Sequence, residues 1–153
     1  ADQASEIAAR GIAVTPTLRQ IELFQDFAAQ AGQKYPVYAA TMRGMYETRR
    51  EHFQMLLDSG ALLLMGTDSG GYQDHGTIAG ELALWLQWGA PAQFTIDAAT
   101  WVSQRYLGYP GLVEGGPADF LFLNEDPRID PLALSRPTRV TLGGRTAWER
   151  TSD

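Results

Sequence analysis

The run Leu62-Leu63-Leu64-Met65-Gly66-Thr67-Asp68-Ser69-Gly70-Gly71 constrains this chain more than any other stretch. A short apolar run of this kind suits a strand that is buried on both faces, as in a parallel sheet. It stops abruptly at Gly66-Thr67-Asp68, so a carboxylate stands at the carboxyl end of the expected strand. In parallel α/β folds that end gathers ligands and catalytic groups, because loops vary there over a rigid sheet. From Gly80-Glu81-Leu82-Ala83-Leu84-Trp85-Leu86 a helix is expected, which completes a strand–loop–helix unit. From its position alone, Asp68 reads equally as a catalytic group or as the cap of a turn or helix.

The rest of the chain alternates in the same way. Residues 2–10 have helical character, with Ala4, Ile7 and Ala8 on one side, and Gly11 is the expected stop. Ile12-Ala13-Val14 then reads as a strand closed by Thr15-Pro16-Thr17, an αβ junction of an alternating fold. Ile21, Leu23, Phe24, Phe27 and Ala28 follow helical spacing up to Gly32. Pro36 suits a first helical turn, and a long helix is expected from there to Leu57, with Gly60 just beyond. Its Met and aromatic residues read as a core stripe, or alternatively as a lid over a site. Beyond Trp88, Gly89-Ala90-Pro91 breaks the pattern, and a helix pair is expected over 92–107, closed by Gly108.

Composition changes after Gly108, where Gly and Pro punctuate short strands expected at 119–123, 139–142 and 145–148. Gly143-Gly144 joins the last two as a hairpin. The expected organisation is therefore a module over 1–108 and an antiparallel segment over 109–153. Trp85, Trp88 and Trp101 lie on expected helices and read as core.

With 153 residues and 44% hydrophobic content, a sizeable core is within reach. A formal charge of −6 argues against nucleic acid and anionic membrane as partners. No apolar stretch is long enough to span a bilayer. The absence of cysteine excludes disulfides and thiolate metal ligation.

Three strings point to other chemistries and fail. Leu56-Leu57-Asp58-Ser59-Gly60-Ala61 has the form of an aspartic-protease turn, but here it closes a helix. Asp68-Ser69-Gly70-Gly71 echoes a serine-protease nucleophile loop, yet only His52 and His75 exist and the chain is rich in helix. Gly70-Gly71-Tyr72-Gln73-Asp74 lacks the lysine of a phosphate-binding loop. Asp68 with His75 remains, a pairing that suits metal-assisted hydrolysis. Read without further context, His75 is more readily a surface loop imidazole than a ligand, and a catalytic zinc asks for about three protein ligands.

These residues carry a resemblance. The chain resembles the C-terminal portion of a metal-dependent amidohydrolase of the imidazolonepropionase-like branch. Residues 11–18 (Gly-Ile-Ala-Val-Thr-Pro-Thr-Leu) resemble the seventh barrel strand and its exit. Met65-Gly66-Thr67-Asp68-Ser69-Gly70, with His75-Gly76 and Glu81-Leu82, resembles the eighth strand and the following helix. Ala98-Ala99-Thr100 through Leu107-Gly108 resembles the family's next helix. Gly115-Gly116-Pro117-Ala118-Asp119-Phe120 and Gly143-Gly144-Arg145 resemble its final strands, which belong to a small β-sandwich.

The resemblance implies an α/β fold: the last two strands of a (β/α)8 barrel with their helices, plus short antiparallel sandwich strands. It implies a hydrolase of C–N bonds, amide or cyclic amide, in which Asp68 binds a divalent metal, zinc in the first place, and shuttles the proton. His75 would contact the small-molecule substrate, while Thr100 and Asp119 are scaffold. The other metal ligands of the family have no counterpart here and would precede Ala1. The chain is therefore expected to be a fragment, inactive alone, that needs a missing N-terminal half or a homo-oligomer. The alternative is a non-catalytic oligomeric α/β domain whose open sheet edges are covered by a second copy.

Overall fold

Gly11 and Gly60 set the rhythm of the first part of the chain. Their φ angles of +62° and +72° are left-handed, a conformation cheap only for glycine, and each turns a helix into a strand. The structure, a computed structural model, describes residues 2–151. It forms two compact units, Ala1–Ala90 and Pro91–Asp153.

In the first unit α1 (Asp2–Ala9) leads to β1 (Ala13–Val14) and α5 (Arg49–Ser59) leads to β2 (Leu62–Leu63). Between β1 and α5 lie α2 (Leu18–Glu22), α3 (Phe24–Ala31) and α4 (Pro36–Glu47). The strands pair in parallel, Ala13 with Leu62 and Val14 with Leu63. After β2 and its loop comes α6 (Ile78–Gln87). Its Trp85 is fully buried against Phe53 of α5, ring centroids 5.3 Å apart, and Leu18 and Leu63 are buried in the same unit. Removing each such side chain from water contributes about 1.5–3 kcal/mol. Arg49 pins the start of α5: its Nε lies 2.6 Å from the Glu22 carboxylate, and its guanidinium stands 3.7 Å from the Tyr46 ring centroid.

Several expectations are corrected here. The apolar run is a two-residue strand and is not buried on both faces, since Leu62 is 37% exposed. Among the described residues this sheet has only its two strands, so no third strand pairs with either outer edge. The helix expected from Pro36 to Leu57 divides at Thr48 (φ −95°, ψ 4°), whose hydroxyl donates to the Gly44 carbonyl at 2.8 Å. The ladder bonds on both sides persist, Thr48 N–H to the Gly44 carbonyl at 3.1 Å and His52 N–H to the Thr48 carbonyl at 3.0 Å, so the division is a local change of backbone angle at Thr48. The helix expected over residues 21–28 similarly divides at Leu23 into α2 and α3.

The second unit opens with α7 (Ala92–Ala99) and α8 (Trp101–Tyr106). Thr95, Ile96 and Ala98 are buried on α7, which packs against a 3-10 turn at Pro131–Ser135. Trp101, expected in the core, is 46% exposed and donates its indole N–H to Asp97 on the preceding turn. β3 (Phe120–Phe122), β4 (Arg139–Leu142) and β5 (Arg145–Glu149) form an antiparallel sheet in that order. Gly143 and Gly144, at φ +55° and +75°, make the left-handed two-residue turn that suits the twist of a hairpin. Asp119 accepts the Gly143 N–H at 2.6 Å, a scaffold contact. No helix among the described residues is long and apolar enough to cross a membrane.

Candidate functional site

The loop that leaves β2 carries Asp68. Leu64 makes one further bond to β1, its N–H on the Val14 carbonyl at 2.9 Å, and the chain then departs from the sheet. At Gly66 the exits of the two strands come close, and a Cβ there would stand 2.7 Å from Thr15 Cγ2. Asp68 adopts φ +55° and Thr17, in the exit of β1, φ +48°. Aspartate tolerates the left-handed region better than β-branched threonine, for which it is an outlier. The Asp68 side chain is exposed, and among the described residues no hydrogen bond or ion pair engages its carboxylate.

His75 lies in the same loop and is also exposed. Its ring lies beside Gly70, where a Cβ would stand 3.2 Å from Cε1. Among the described residues no hydrogen bond joins it to Asp68. A chain of hydroxyls closes the base of the loop, Thr67 to Ser69 at 2.7 Å and Ser69 to Thr77 at 3.0 Å.

Two residues that sequence reasoning did not single out organise this region. Glu81, fully buried on α6, accepts the backbone N–H groups of Leu18 and Arg19, each at 2.8 Å, and the Trp85 indole N–H at 2.9 Å. It therefore caps the first turn of α2 from across the fold. Thr17, at the cap position, makes no side-chain cap bond. Burial pushes the Glu81 carboxyl up, and this outweighs the three donors and nearby Arg19, all of which pull it down. Gln73 is the second, its amide linking the loop to α2 by bonds to Thr67, Arg19 and Gln20. The sequence does carry a signal for Glu81, the one charged residue in Ile78–Gln87 and four positions before Trp85. For Gln73 no local signal exists.

The residues present do not make a metal centre by themselves. Among the described residues no group of three or more His, Cys, Asp or Glu is placed to hold a metal ion. His52 sits on α5, with Nδ1 3.4 Å from the Thr48 hydroxyl. Two open concavities, of about 320 Å³ beside Phe122 and Arg139 and about 250 Å³ beside Ile7 and Arg10, include neither Asp68 nor His75.

No family profile matches the chain. It is 40% identical over 136 residues to uncharacterized proteins of Mycobacterium tuberculosis and Mycobacterium bovis, an overlap of 89% of this chain and 36% of theirs. Among solved structures it is similar to a Xaa-Pro dipeptidase with methionine in the active site, with TM-score 0.80 and 21% identity over 97% of this chain and 37% of that one. It is similar also to an amidohydrolase, with TM-score 0.74 and 22% identity over 99% and 38% of the two chains. A prolidase complexed with N-methylphosphonate-L-proline gives TM-score 0.70 and 20% identity over 96% and 37%. These likenesses show the fold, a mixed α/β arrangement found within amidohydrolase- and prolidase-type chains. The chain spans 36% of the length of the mycobacterial relatives it matches.

Proposed function

We propose that these residues are the last two strands and helices of an amidohydrolase barrel, with its final sandwich strands, and that the whole protein hydrolyses C–N bonds. The observation that carries this reading is the placement of Asp68. It follows a strand paired in parallel with β1, its carboxylate is free, and the surrounding fold matches a dipeptidase over 97% of the chain. The imidazolonepropionase-like order of motifs supports the superfamily, and the dipeptidase and prolidase likenesses favour a linear amide over a cyclic one.

In this reading Asp68 takes a proton from the attacking water and returns it to the leaving nitrogen. It would also be one ligand to a divalent metal, zinc in the first place, whose polarising charge would activate that water and which would need further ligands besides it. His75 reaches the substrate from the same loop.

The test is a chimera in which this chain replaces the matching region of a mycobacterial relative, assayed with zinc on dipeptides and N-acyl amino acids. Asp68→Ala is expected to lower kcat about 10²–10⁴-fold, the usual worth of a positioned proton-transfer group. Hydrolysis that survives the substitution undiminished would overturn the reading.

One observation favours a second reading, a non-catalytic oligomeric domain: among the described residues no third strand pairs with either outer edge of the β1–β2 sheet. A stable dimer of the chain, with a chimera that hydrolyses none of these substrates, would support it.

A further inference from the structure

Gln73 is the single buried side chain in the loop from Gly66 to Thr77, at 7% exposure. An amide withdrawn from water costs free energy unless its hydrogen bonds are met, and here they are. Nε2 donates to the Thr67 carbonyl and to Gln20 Oε1, both at 2.8 Å, and Oε1 accepts from Arg19 Nε at 3.2 Å. Its own carbonyl accepts the Gly70 N–H at 3.1 Å, so the loop also folds onto Gln73 through its backbone.

The Thr67 carbonyl belongs to the peptide whose N–H is that of Asp68. Rotation about the Asp68 N–Cα bond is set by the peptides on its two sides: the Thr67 bond holds the one before it, and the Gly70 N–H on the Gln73 carbonyl holds the chain after it. This matters because Asp68 holds φ +55°, which costs a non-glycine residue about 1 kcal/mol or more. Its carboxylate has no partner among the described residues, so the backbone, which sets the direction of the Cα–Cβ bond, is what the structure offers to aim it.

We infer that Gln73 is the positioning residue for Asp68: its amide holds the Thr67–Asp68 peptide in the left-handed turn that presents the carboxylate. The inference rests on the reading of Asp68 as the working carboxylate and adds what keeps that group in place.

The test uses the 153-residue chain and two variants. Gln73→Leu removes every side-chain bond, and Gln73→Glu keeps an acceptor for Arg19 but loses the donor to Thr67. The readout is the NMR signature of φ at Asp68, its amide–Hα coupling and Cα shift, with the Trp85 indole resonance reporting the core. Both variants are expected to move Asp68 to the values of a negative φ while the Trp85 signal stays. An unchanged Asp68 signature in Gln73→Glu would overturn the inference, because the Thr67 bond would then be idle. Loss of folding in both would overturn it too, since the role would be structural only. Asp68→Ala in the chimera tests the catalytic reading separately, and its failure leaves the backbone result standing.

Discussion

Glu81 carries an unusual load for one side chain. Two backbone N–H groups of α2 and one indole depend on it, and it is fully buried. Glu81→Ala leaves these donors unmet at a cost of roughly 1–3 kcal/mol for each that stays dry, so a loss of about 3 kcal/mol or more is expected in urea unfolding. Acidity adds a sharper test. Burial holds the folded carboxyl above its ordinary 4.5, so the folded state binds more protons than the unfolded one. Its stabilising contribution is then full below pH 4.5 and is lost as pH rises through the raised value. Glu81→Gln removes this dependence, and upward of that pH its stability is expected to fall less steeply than the wild type's. Parallel curves would show that the carboxyl titrates alike in both states. The place of Asp68 in the loop after β2 was legible in the sequence because strand, glycine and acid are contiguous there. Gln73 was not, since its partners Arg19 and Gln20 lie more than fifty residues away.

At the scale of elements, legibility followed the range of the forces. The β4–β5 hairpin was readable because Gly143-Gly144 is local chemistry: both residues have positive φ, as the tight turn demands. A Cβ on Gly144 would stand 3.8 Å from Ala118 Cβ, an ordinary contact, so only the backbone opposes a side chain there. Gly144→Ala is therefore expected to destabilise the second unit by about 1–2 kcal/mol. Amide exchange should quicken along β4 and β5 and stay unchanged along α1 and α5; uniform quickening would contradict the division into units. The breaks at Leu23 and Thr48 were not readable, because helical spacing continues through both. The break at Thr48 is accompanied by a hydroxyl bond to Gly44, which apolar periodicity does not register. Trp101 misled for a related reason: a large ring on a helix suggests burial, but here Asp97 holds its indole at the surface.

For the molecule as a whole, the alternation of helix and strand foretold a mixed α/β fold, one that is found within amidohydrolase- and prolidase-type chains, and the weak point is what surrounds β1 and β2. Two parallel strands of two residues each are far below what stands alone, since parallel sheets are normally covered on both faces. Ile12 beside β1 is 42% exposed and Leu62 in β2 is 37% exposed, so apolar surface accompanies the open backbone edges. Such edges pair with whatever strand they meet. In the whole protein of the proposed reading that partner is the rest of the barrel, and in the isolated chain a second copy is the strand on offer. The isolated chain is therefore expected to self-associate with rising concentration in sedimentation, and Ile12→Lys with Leu62→Lys to weaken this at least tenfold. The charge substitutions act at the edge without touching Asp68, Gln73 or Glu81, so the Trp85 core signal should persist. If wild type and double variant sediment alike as monomers, these edges are not adhesive, and the oligomeric-domain reading loses the surface it needs.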